Sequence, residues 1–250
     1  MHLMPISPNQ GATSGGTTVT ITGTNLAGAT SVHFGQKSAM ITGNTPTSAT
    51  VVSPAGSGAV EMSITSPGGA SNSVPFYYIQ PPFVDNISSR SGPTAGGNTV
   101  TLSGANLTTA TSVAFGANSA DPTVNDDGSI SVVVSAGAAG SVSVTVTTAG
   151  GTDWLPDSYR YVDAPTIVTA LPANGPTAGG TAVLLTGTNL FTTTQVTFDG
   201  APANYGVISD TQISAITPPG TAGTADVAVT TAAGTVTAPT AFIYEDALET

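Results

Sequence analysis

Three near-copies of one segment, laid end to end, constrain this chain more than any other feature of it. Paired glycines recur at Gly15–Gly16, Gly96–Gly97 and Gly179–Gly180, in steps of 81 and 83 residues. Each pair closes a six-residue turn: GATSGG from Gly11, then GPTAGG from Gly92 and again from Gly175. The same run follows each time, TTVTITGTNL (Thr17–Leu26), NTVTLSGANL (Asn98–Leu107) and TAVLLTGTNL (Thr181–Leu190). Next come SVHFG, SVAFG and QVTFDG, then a long alternating stretch (AVEMSIT, SVSVTVT, ADVAVT), then a closing aromatic strand at Phe76, Tyr159 and Phe242. Short proline-bearing joints, QPP at 80–82 and DAP at 163–165, separate the copies. A period of about 80 residues is too long for a solenoid repeat and suits an independent domain. The expected domains are 1–80, 81–163 and 164–250.

Within each copy apolar and polar residues alternate. Val19 and Ile21 face one way while Thr18, Thr20 and Thr22 face the other, and Val100/Leu102 and Val183/Leu185 repeat the scheme. Val32/Phe34, Val113/Phe115 and Val196/Phe198 do the same one strand later. A period of two, with turn signals every 8–12 residues, specifies an all-β chain of three tandem β-sandwiches with one buried face per sheet.

Composition fits this and narrows the function. The chain is 39% hydrophobic and 7% charged, with Gly 30 and Pro 18, and its β-branched residues alternate as folded strands require. No apolar run approaches the ~18 residues of a spanning helix. Lys37, Arg90 and Arg160 are the three cations against 14 acidic residues, a net charge of −11. Three scattered cations make no footprint for phosphates, which argues against nucleic acid and anionic membrane as partners. There is no Cys, so no disulfide or thiolate chemistry is expected. MHLMPISPNQG carries no basic then apolar leader. Met1 falls where Pro82 and Pro165 fall in the other copies, so the first domain is expected to begin flush with it, and EDALET is followed by no further copy.

The order Gly-Pro-Thr-x-Gly-Gly, VTITGTNL, VTFDG, SDTQISAITPPGTAGTADVAVTT and a terminal aromatic strand resembles the IPT/TIG domain. That family is the immunoglobulin-like fold of plexins, Rel-type transcription factors and many bacterial surface proteins. The resemblance covers essentially all 250 residues, and a bacterial or phage member is expected. Two departures are Ala12 in place of Pro93 and Pro176, and NDDGS in the second copy where the third has ISDTQ. The family's DNA-binding members imply basic loops and an added domain, and its glycosidase-associated members imply spacers beside a catalytic domain. This sequence contains neither addition.

Several residues bear on a site. The glycine turns feed strands and lack a nearby Lys, so they read as turns rather than phosphate loops. Asn25, Asn106 and Asn189 read as left-handed turn residues, each followed by a Leu that plugs the core. His2 and His33 lack partners for zinc or a catalytic triad. Asp126 and Asp127 read as a hairpin turn, and Asp85, Asp163 and Asp246, one per joint, are a weak calcium alternative. Trp154, replaced by Ser71 and Thr237 in the other copies, either packs at a joint or is a stacking platform. Tyr77, Tyr205 and Arg160 are lesser contact candidates. No activated nucleophile can be assembled, so no enzyme, cofactor or metal is expected.

These features describe a non-catalytic structural or adhesive protein: a semi-rigid stalk or spacer of an extracellular assembly, on a cell surface or a phage particle. Its partners would be proteins of that assembly or a surface glycan, without membrane insertion. The alternative is a polysaccharide- or protein-binding accessory module using Trp154 or the loops. Each domain is small enough for a single core aromatic to matter. Phe115→Ala is expected to cost about 3–5 kcal/mol, read from the shift of a urea unfolding midpoint.

Overall fold

A computed structural model describes residues 2–246; Met1 and 247–250, and with them the flush start and most of EDALET, lie outside the described residues. The described residues form strands and turns without a helix, so no helix is long and apolar enough to cross a membrane. They pack as two compact units. The first holds the described residues up to Ser88 with Thr99–Val133 and Ser143–Pro156; the second holds Ser89–Asn98, Val134–Val142 and the described residues from Asp157 onward.

In the first unit, the first copy shows how period-two patterning becomes a sandwich. Thr18–Thr24 alternates strictly between exposed and buried, and pairs antiparallel with His2–Ser7 on one side and Ser48–Val52 on the other. Lys37–Asn44 crosses into that sheet from the other layer: its first half pairs with Ser31–Phe34 and its second half with Ser48–Val52, joining both layers. In the later copies this crossing strand is split, into Asn118–Ala120 and Pro122–Asp126, and into Ala201–Pro202 and Asn204–Ser209. A proline sits at the split each time, Pro122 and Pro202, and proline supplies no N–H to continue a ladder. Val19, Ile21, Leu26, Val32, Val51, Met62, Ile64 and Phe76 form the first copy's core, all closed to solvent.

The third copy, wholly in the second unit, repeats the plan with Thr166–Leu171, Ala182–Thr188, Gln212–Ile216 and Asn204–Ser209 as one antiparallel sheet. Its other layer is divided into two small sheets, one holding Phe242–Glu245 and the other Thr193–Phe198. Val183, Leu185, Leu190, Val196, Phe198, Ile213 and Phe242 are buried between them.

The glycine turn and the closing strand are built into one interlock, three times over. The residues that open the turn lie parallel to the closing strand: Gly11 opposite Tyr78, Gly92 opposite Tyr161, Gly175 opposite Tyr244. Ala12 keeps this pairing without the proline of the other copies. The last glycine of each turn donates to a loop carbonyl at 2.9 Å: Gly16 to Ser53, Gly97 to Val134, Gly180 to Thr217. That loop answers through a glycine of its own, Gly56 to Thr13, Gly137 to Thr94 and Gly220 to Thr177. The closing tyrosine completes the lock, its hydroxyl donating to Pro54, Ser135 or Pro218 at 2.8, 2.8 and 2.7 Å. Loop and ring leave no room: a Cβ on Gly137 or Gly220 would sit 2.5 Å from the ring of Tyr161 or Tyr244. At Gly15, Gly96 and Gly179 positive φ combines with close backbone approach, so both space and conformation demand glycine.

The second copy fills this corner with a different set of side chains. In copies one and three, Thr17 N–H and Thr181 N–H donate to the buried hydroxyls of Ser53 and Thr217, and the closing strand carries the buried Phe76 or Phe242. In copy two those three places hold Asn98, Val134 and Tyr159, and the Tyr159 hydroxyl donates to Asn98 Oδ1 at 3.0 Å. The extra hydroxyl on a fully buried ring thus arrives together with its acceptor.

Burial disfavours phenolate, so Tyr78, Tyr159 and Tyr244 are raised above the ordinary 10.0, desolvation being the largest cause in each. Their contribution is full below that ordinary value and is lost as pH rises through the raised folded value. Unfolding midpoints are therefore expected to fall at alkaline pH, less steeply in Tyr78→Phe. At neutral pH, Tyr78→Phe is expected to cost about 1 kcal/mol for the lost hydrogen bond. Gly56→Ala is expected to cost about 1–3 kcal/mol through overpacking against the ring. Urea titrations of the two variants check this order.

Candidate functional site

The corner after each TGTNL-type run carries most of the polar organisation outside the sandwiches. Asn25, Asn106 and Asn189 have φ of 58°, 59° and 59°, the left-handed conformation expected of them. Leu26, Leu107 and Leu190 are completely buried behind them, as core plugs. The asparagine side chain has a second use. Asn106 Nδ2 donates to Pro81 O and Asn189 Nδ2 to Ala164 O, both at 2.9 Å, fastening the joint peptide to the corner.

An aspartate holds that corner from the other side. Asp127 takes the Thr108 hydroxyl on Oδ1 at 2.7 Å and Asn106 N–H on Oδ2 at 3.3 Å, while its carbonyl takes Leu107 N–H. Asp210 repeats the carbonyl contact, to Leu190 N–H, and takes Phe191 N–H on Oδ1 at 3.3 Å. Asp126, one residue earlier, accepts from Gly128 N–H at 2.8 Å, the local bond of an Asx turn. NDDGS is therefore a turn at Asp126 and a corner clasp at Asp127. The clasp escapes a pattern-based reading because its partners lie some twenty residues away.

Two equivalent grooves follow from these corners. In the first unit Tyr78, Gln80, Asn106, Thr108 and Asp127 line an open groove of about 300 Å³. In the second unit Arg160, Asp163, Asn189, Phe191 and Asp210 line one of about 240 Å³. A larger recess, about 470 Å³, lies at the interlock of the first copy, where Lys37 Nζ donates to Ala55 O at 2.7 Å.

The residues singled out from sequence are spread over the molecule. Trp154, on Gly151–Val162, is 58% exposed, and beside it Asp153 Oδ2 accepts from Val84 N–H at 2.7 Å. Tyr77 projects from its strand at 43% exposure, and the Tyr205 hydroxyl donates to Thr193 O at 3.2 Å. Arg160 lines the second groove. His33 is half-buried with Nε2 3.3 Å from Ser38 Oγ, and His2 is exposed. Among the described residues no three His, Asp or Glu side chains gather as a metal site. Phe191 and Asp210 are not marked by any of the sequence patterns above. Setting Ala27, Thr108 and Phe191 side by side exposes the signal, an aromatic where the other copies have small side chains.

Tandem sandwiches closed by a strand parallel to the opening segment define an immunoglobulin-like array. The chain belongs to the IPT/TIG domain family, whose model matches residues 1–78, 82–162 and 165–244. No curated protein matches the sequence. Among solved structures it is similar to the full extracellular region of Plexin A4, at 20% identity over 92% of this chain and 23% of that one, TM-score 0.49. It is similar to SGBP-B from a complex xyloglucan utilization locus in Bacteroides uniformis, at 19% identity over 82% and 65%, TM-score 0.33. It is also similar to the Escherichia coli adhesin FdeC, at 17% identity over 97% and 95%, TM-score 0.33. The chain spans 23% and 34% of the two plexin chains it matches.

The Thr108 hydroxyl and the Asn106 N–H hold the Asp127 carboxyl below its ordinary 3.8. Thr108→Val is expected to move that carboxyl upward, toward the ordinary value, in an NMR titration of side-chain carboxyl carbons.

Proposed function

We propose that this chain is a non-catalytic structural or adhesive protein, a semi-rigid stalk or spacer of an extracellular assembly on a cell surface or virion. The observation that supports it most is the interlock built three times in one chain, joined by segments of two or three residues. Proline in each joint, with the asparagine tie to Pro81 or Ala164, limits the freedom of the connecting peptide. The domains of this reading are 1–80, 81–163 and 164–250. The repeated hydroxyls act as structural donors, Tyr78, Tyr161 and Tyr244 each to a loop carbonyl.

An adhesive role draws support from the third copy. Eight of the fourteen exposed large apolar side chains among the described residues belong to it. On its outer sheet face Leu171 lies opposite Leu184, at the place where the first copy has Ser7 opposite Thr20. The second reading, a polysaccharide- or protein-binding accessory module, is favoured by the exposed indole of Trp154. Tyr77 and Tyr205 are further contact candidates for it.

At ~3.4 Å per strand residue, three sandwiches in line predict a rod of about 110–120 Å. Small-angle scattering is expected to give a maximum dimension in that range, and a compact profile would sink the spacer reading. Affinity gels of chitin, cellulose and starch address the second reading. Retardation abolished by Trp154→Ala would move the function from spacer to binder.

A further inference from the structure

The two corner grooves are built from the same elements, yet they differ in what they leave free. In the first, Thr108 donates its hydroxyl to Asp127 Oδ1, and Asn106 N–H reaches Oδ2, so both carboxylate oxygens are engaged. In the second, Phe191 stands where Thr108 stands and has no side-chain donor. Asp210 Oδ1 keeps one weak bond to Phe191 N–H, and no hydrogen bond from a described residue reaches Oδ2. The Phe191 ring is 67% exposed, at a place where apolar packing within the domain is already completed by Leu190.

The neighbours change in the same direction. Gln80 becomes Asp163, and the strand position of Tyr77 becomes Arg160. The Arg160 backbone N–H donates to Arg90 O at 2.9 Å, and no described residue hydrogen-bonds its guanidinium. Asn189 is committed to Ala164 O through Nδ2. The second groove thus offers an exposed aromatic face, an unengaged guanidinium donor and two carboxylates with free acceptor oxygens.

We propose that this groove binds a neutral oligosaccharide, with one sugar ring against Phe191 and its hydroxyls held by Arg160, Asp163 and Asp210. A pyranose presents an apolar C–H face to an aromatic ring and, around its edge, hydroxyls that both donate and accept. Free donors and free acceptors beside one flat ring match that pattern. An anionic ligand meets two carboxylates on a chain of net charge −11, and a cationic one meets Arg160. About 240 Å³ is below the ~300–1,000 Å³ of pockets that enclose drug-sized ligands, which suits a sugar laid across an open surface. The site is separate from Trp154, and the spacer reading stands or falls without it.

The test is a glycan array of neutral and acidic oligosaccharides probed with the full chain, with calorimetry on the glycans retained. Phe191→Thr installs the residue of the second copy, and Arg160→Ala removes a group with no structural partner, so both variants are expected to keep the wild-type unfolding midpoint. The expected result is retention of at least one neutral glycan. Affinity should fall at least tenfold in Phe191→Thr and in Arg160→Ala, and stay unchanged in Trp154→Ala. Retention of no neutral glycan, unchanged affinity in Phe191→Thr, or loss in Trp154→Ala would each overturn it. Small-angle scattering on the same samples reads the spacer role independently.

Discussion

Everything else in this chain hangs on the closure of each sandwich, where a tyrosine hydroxyl, a loop carbonyl and two glycine N–H groups meet. The opening segment runs parallel to the closing strand, so first and last parts of a copy are held by direct backbone pairing. A domain of this size buries roughly 60–65% of the surface of its unfolded chain and has little margin. Fastening its two ends converts a short, low-aromatic sequence into a closed core. The lock is local to each copy, so copies can be added in tandem without a new packing solution.

Much of that was legible beforehand. The alternation at Val19/Ile21 and its counterparts placed the buried face correctly, because period two is imposed by strand geometry itself. The left-handed asparagines and the plugging leucines were readable for a similarly local reason. The tyrosine bonds to Pro54, Ser135 and Pro218 were not, since donor and acceptor lie 24 to 26 residues apart and a carbonyl leaves no mark in a sequence. Asp127 was half-read: its turn neighbour Asp126 follows a known pattern, whereas its own contacts depend on how the corner folds back. Phe191 was missed because a solitary Phe in a β-protein reads as core until its exposure is seen.

The three copies also separate what the scaffold needs from what it leaves open. Inward positions and the interlock stay nearly constant, while on the outward face the Ser7–Thr20 rung of the first copy becomes Leu171–Leu184 in the third. The corner shows the same division: the Asn–Leu pair is kept, and the next residue runs from Ala27 through Thr108 to Phe191. Variation confined to faces that the fold does not use is where recognition can arise without loss of stability.

The altered triplet in the second copy, Asn98 with Val134 and Tyr159, carries a consequence for biosynthesis. Neighbouring domains of nearly the same sequence emerge from the ribosome within reach of one another and can exchange strands, a characteristic failure of repeat arrays. A closing strand from the first copy, placed in the second, would bring Phe76 to a seat where Asn98 Oδ1 expects a hydroxyl and would leave that oxygen unsatisfied. The reverse exchange would press the Tyr159 hydroxyl against a threonine rather than an asparagine. The middle copy therefore holds in its interior a donor–acceptor pair whose donor the closing strands of its neighbours, with Phe76 and Phe242, do not supply.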